Sequence, residues 1–104
     1  MSARGDAAAR LERALTAHAV RGGVTLAIRT LRSTLWASAT FVGARHRVSL
    51  AISGDRAGAW LAGLAEADLP VHGHLVADLV VTDQRHEADG TIATIEVLTV
   101  EEVG

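Results

Sequence analysis

Residues 75–82, Leu75-Val76-Ala77-Asp78-Leu79-Val80-Val81-Thr82, carry apolar side chains on both sides of a two-residue alternation. A short β-branched run of that kind marks a strand covered on most of both faces, so this stretch is expected at the centre of a sheet. His46 to Ser53 has the cleanest alternation in the chain, with Val48, Leu50 and Ile52 on one side and Arg47, Ser49 and Ala51 on the other. Val24, Leu26 and Ile28 alternate with Thr25, Ala27 and Arg29, the pattern of a half-exposed strand. Leu35 to Val42 reads as a further strand after a break at Ser33-Thr34, with Gly43-Ala44-Arg45 as a tight hairpin loop. Asp89-Gly90 marks a turn, and Ile92 to Val100 returns as the final strand.

Two segments change period from two to about 3.6. Over residues 6–21, Asp6 serves as N-cap, Ala8, Leu11, Leu15 and Ala19 form a thin apolar stripe beside Ala14, and Gly22-Gly23 supplies the stop. A stripe with two Leu in four turns must lie close against a sheet. The second helix opens at Gly54-Asp55 and runs to about Ala67, with Ala57, Trp60, Leu61 and Leu64 at i, i+3, i+4 and i+7. Leu69-Pro70 ends it. The expected fold is an α+β two-layer sandwich: two helices on one face of a four- or five-strand, mostly antiparallel sheet, in the order α-β-β-(β)-α-β-β. Moving the last strand to the front gives β-α-β-β-α-β, a permuted ferredoxin-like arrangement.

Composition narrows this picture. The chain of 104 residues is long enough for one modest core, and a single domain over 1–104 is expected, with 1–5 and 102–104 as flexible ends. Its apolar content is rich in Ala, at twenty residues, against one Phe, two Trp and no Tyr. Such a core buries little area per residue, which is a reason to expect further burial against a partner. The absence of cysteine excludes disulfides, thiolate catalysis and Cys-based zinc sites. No apolar run is long enough to cross a bilayer, and no basic-then-apolar leader pattern opens the chain, so a cytoplasmic location is expected.

The net charge of −2 hides an asymmetry: residues 1–60 hold nine Arg against three acids, and residues 61–104 one Arg against nine acids. No Lys is present. The acidic balance and the scarcity of stacking aromatics argue against nucleic-acid binding. Two opposed halves instead favour neutralisation within the fold or between two copies.

Candidate chemistry is sparse. In an extended segment His72 and His74 would share a side, where His46 could join them around zinc or another transition metal; the plainer reading makes them loop residues entering a strand. Asp78, inside the most apolar strand, reads as a buried carboxylate or as one paired with an Arg on a neighbouring strand. Trp36 lies on the opposite side of its strand from Leu35, Ala37, Ala39 and Phe41, together with Ser38 and Thr40, and that small polar face is either a protein contact patch or the buried side. His18 and His86 read as solvated. No phosphate loop, nucleophile elbow or carboxylate pair accompanies these residues, so no catalytic residue is assigned and a non-enzymatic role is favoured. The expectation is a self-association or protein-binding module, as a homo-oligomer or with another protein; the alternative is a metal- or small-ligand site around His46, His72, His74 and Asp78. In element order alone the chain is similar to small phage tail-terminator-type subunits, without a shared motif, and element order does not give function.

Overall fold

The structure, a computed structural model, describes residues 3–102, with side chains from residue 7 onward. Its elements are α1 (Ala3–Arg21), β1 (Thr25–Ala37), β2 (Val42–Ser53), α2 (Ala57–Leu64), β3 (His74–Glu87) and β4 (Gly90–Glu101). Two antiparallel hairpins, β1–β2 and β3–β4, join along β2 and β4 into one four-stranded sheet of order β1-β2-β4-β3. Read with β4 first, the order becomes β-α-β-β-α-β, the permuted ferredoxin-like sequence of elements. Of the expected free ends, residues 1–2 and 103–104 lie outside the described residues, residues 3–5 begin α1, and the Glu102 amide donates to the Gly73 carbonyl at 3.0 Å.

Both helices cover the same face. Leu11, Ala14, Leu15 and Ala19 of α1 and Ala57, Trp60, Leu61 and Leu64 of α2 form one buried cluster with Val48, Leu50 and Ile52 of β2 and Ala93, Ile95 and Val97 of β4. Each fully buried Leu or Ile there stabilises by about 1.5–3 kcal/mol over its exposed form. The helix α2 keeps its expected apolar face but is shorter than expected, ending at Leu64. His18, read as solvated, is half-buried and accepts a hydrogen bond from the Trp60 indole N–H at 2.8 Å, tying α1 to α2. His86 is exposed but pairs with the Thr91 hydroxyl at 3.2 Å.

Three expectations are corrected by the strand register. The run 75–82 lies on β3, an edge strand; the centre of the sheet is β2 and β4. Its apolar residues fall on both sides of the alternation because β3 bulges twice, at Ala77 and at Thr82. The extra residue at Ala77 switches the parity that faces the helices from Val76 to Leu79 and Val81, and the one at Thr82 switches it again. Likewise β1 has no break at Ser33-Thr34: a bulge at Arg29 moves the inward set from Leu26 and Ile28 to Leu31 and Ser33, and the strand continues to Ala37. The strand count is therefore four.

The third correction concerns the hairpin. The turn between β1 and β2 is 38–41, closed by the Ser38 amide on the Phe41 carbonyl at 2.8 Å, and Gly43-Ala44-Arg45 belongs to β2. Gly43 is there for space. A Cβ at this position would overlap the Thr99 carbonyl oxygen and lie 2.8 Å from the Trp36 ring. The glycine marks a close approach rather than a turn.

Candidate functional site

The three histidines considered for a metal do not meet. Gly73, at φ 80°, turns the chain between His72 and His74, so the two do not share one side of an extended segment. The turn is closed by the His74 amide on the Val71 carbonyl at 2.9 Å and braced by the Arg10 guanidinium, which donates to the His72 carbonyl at 2.7 Å. His72 is exposed and His74 is buried. Among the described residues no group of three or more His, Asp or Glu side chains is placed to hold a metal ion. The segment His72-Gly73-His74 is a structural joint between α1, the start of β3 and the end of β4.

His46 is a different case. It is fully buried on the helix-covered side of β2, at the same parity as Val48, Leu50 and Ile52. Its Nδ1 lies 2.7 Å from the Ser33 hydroxyl and its Nε2 2.9 Å from the Thr99 hydroxyl, which in turn donates to the Ala44 carbonyl at 3.4 Å. A donor at Thr99 must accept from His46, so Nε2 carries the proton and Nδ1 accepts from Ser33. The neutral imidazole then satisfies every partner. Burial, and secondarily the nearby His74, pushes the His46 pKa below its ordinary value. Ser33 with His46 has the distance of a nucleophile and its base, but no carboxylate orients the imidazole and no described cavity opens on Ser33. This cluster joins β1, β2 and β4, with His46 and Thr99 buried in the layer and Ser33 at its exposed end.

The opposite face of the sheet carries neither helix. Five transverse rows follow from the register, the last of them Ala27, Ala51, Ile92 and Arg85. Trp36, Gly43, Val100 and Leu75 form one, then Thr34, Arg45, Leu98 and Asp78. Arg32, Arg47, Glu96 and Val80 come next, followed by Thr30, Ser49, Thr94 and Asp83. Leu75 is 59% exposed and Val80 46%, while Leu98, Val100 and Ile92 are half-buried. Trp36 lies flat against Gly43, and its indole N–H is buried with no acceptor. A buried donor without an acceptor costs about 1–3 kcal/mol. Ser38 and Thr40 do not share this face, because the strand ends at Ala37; the Ser38 hydroxyl instead accepts from the amide of Phe41 at 3.1 Å.

Asp78 is exposed on the same face, neither buried nor ion-paired among the described residues, because the bulge at Ala77 turns it away from the core. Its direct neighbour on β4 is Leu98. The charges of the face are divided lengthwise: Arg32, Arg45 and Arg47 stand on β1 and β2, and Asp78, Asp83 and Glu96 on β3 and β4. The contrast between the two halves of the sequence is thus carried onto one surface. Arg85, the basic exception on β3, pairs with Glu87 at 3.6 Å.

These features define a small two-layer α+β domain with one covered and one uncovered sheet face. No protein family matches the chain, and no curated protein or solved structure matches it either. No helix among the described residues is long and apolar enough to cross a membrane.

Proposed function

We propose that this protein works by contact, as a non-enzymatic self-association or protein-binding module whose binding surface is the open face of the sheet. The observation that carries the reading is the row Trp36, Val100 and Leu75, continued by Leu98 and Val80, on a face that neither helix covers. Contiguous exposed apolar side chains rimmed by charge are the mark of an interaction surface. The buried, unpaired Trp36 N–H adds a polar group that a contacting molecule would seal or satisfy. In this reading Trp36 is the contact residue, and Ser38 and Thr40 stand beside the face in the 38–41 turn.

The test is mass in solution by light scattering after size exclusion, at low and high salt, for the native chain and for Leu75→Glu. A species heavier than the 10.8 kDa chain that dissociates on Leu75→Glu supports the reading. A heavier species unaffected by that substitution removes the open face from the contact.

A further inference from the structure

We infer that a second copy of this chain occupies the open face, stacked sheet on sheet about a two-fold axis parallel to the strands and passing between β2 and β4. The inference rests on the contact reading above and names its partner and geometry. A two-fold axis in the plane of the contact has two simple orientations. An axis across the strands lays β1 and β2 of one copy on β1 and β2 of the other, so Arg32, Arg45 and Arg47 meet their own kind. An axis along the strands exchanges the halves: β2 faces β4 and β1 faces β3. Like charges repel in the first arrangement and opposite charges meet in the second.

The second arrangement also keeps each transverse row opposite itself. Arg47 then faces Glu96 of the other copy, Thr34 faces Asp78, and Trp36 faces Leu75, each contact occurring twice as an isologous interface requires. Within one chain Arg47 and Glu96 are cross-strand neighbours, yet they form no ion pair among the described residues. They line separate depressions, Arg47 with Arg32 and Glu96 with Asp78 and Arg45. Both are therefore free to meet a partner across the interface.

Size and edges agree with this geometry. The β2–β4 register spans ten residue pairs. Four strands about 4.8 Å apart and about 33 Å long give a face on the order of 600 Å² per copy before side-chain relief is counted. Doubled, that reaches the lower range of specific interfaces, about 1,200 Å² in total. Bulges in both edge strands, one in β1 and two in β3, disfavour strand-to-strand pairing as the alternative contact.

Charge reversal and rescue test the arrangement. Arg47→Glu and Glu96→Arg should each weaken self-association at least ten-fold, and an equimolar mixture of the two variants should restore it, since the mixed pair sets an acid opposite an arginine at both positions. Thermal melts of each variant confirm that it folds. The chain has no cysteine, so another measurement is independent of charge. Thr34→Cys mixed with Asp78→Cys should cross-link through a bis-maleimide of about 10 Å reach, the spacing of stacked sheets, whereas Thr34→Cys alone should not. A dimer that is lost on Leu75→Glu but shows neither charge rescue nor the mixed cross-link keeps the face and overturns this geometry. A dimer indifferent to Leu75→Glu overturns the open face itself. A chain that stays monomeric up to near-millimolar concentration overturns the second copy as occupant, in favour of a different protein.

Discussion

The two faces of this sheet are built from the same strands and treat polar groups in opposite ways. On the covered face, Ser33, His46 and Thr99 form a relay ending on the Ala44 carbonyl, and only the His74 Nδ1 is buried without a partner among the described residues. On the open face, Arg32, Arg45, Arg47, Asp78 and Glu96 form no ion pairs among the described residues, and the Trp36 N–H has no acceptor. The covered face thus leaves a single buried polar atom unmatched among the described residues, whereas the open face carries a whole set of unpaired charges. That contrast separates what folds the chain from what the chain can touch.

The sharpest way to break the contrast is to truncate a residue at the centre of each face. Leu50→Ala on the covered face should cost about 2–5 kcal/mol of folding stability in urea denaturation, because Leu50 is fully buried. A cost comparable to that of an open-face substitution would show that the helices do not seal the layer. Gly43→Ala comes next, at about 1–3 kcal/mol, since its new methyl group meets strand backbone and the Trp36 ring. Its tryptophan emission should shift as well; unchanged emission and stability would place Trp36 away from Gly43.

Acid should act on the covered face through His46. The His46 imidazole is held below its ordinary value of 6.5 in the folded chain, so as pH falls the unfolded chain takes up a proton first. Stability is therefore fully present above about pH 6.5 and is lost as the pH drops from there toward the folded-state pKa. Melting temperatures between pH 7.5 and 5.5 should fall for the native chain and fall less steeply for His46→Gln, and equal slopes would clear His46 of the effect. The smallest change is expected from Val80→Ser: within about 0.5 kcal/mol for folding at dilute concentration, as for other surface positions. A loss well above that would mean that Val80 is part of the core.

The architecture is largely legible from period alone, and the departures from it have a common cause. Strand β2 has no bulge against β4, and the alternation of Val48, Leu50 and Ile52 predicts its inward face correctly. The same parity extended two residues back places His46 inside, where the structure has it. Strands β1 and β3 defeat the alternation because each carries extra residues, and a bulge resembles either a break, as at Ser33-Thr34, or a strand apolar on both sides, as at 75–82. Gly43 and Gly73 depart from expectation in complementary ways. Gly43 has the local sequence of a turn and is a close approach, whereas Gly73 sits in a segment expected to be extended and is a turn. Neither distinction is local: Gly43 is set by Trp36 and Thr99, and the Gly73 turn is held by Arg10 on α1 and by Glu102 after β4. For the site, Trp36 and the division of charge are both visible in the sequence, but which strands lie side by side is needed before that division becomes a surface.

The bulged edges of β1 and β3 also bear on what an assembly of this protein can grow into. A regular edge invites the next strand, and then the next, so association through it propagates as a ribbon with no natural end. Here the extra residues at Arg29, Ala77 and Thr82 interrupt the ladder of free backbone groups that such growth would copy. In the proposed stacking, association uses one plane, and a plane covered by its own mirror in charge is used up after one encounter. The same three residues that obscure the strands in the sequence thus set a stopping rule, favouring a closed pair over a fibre.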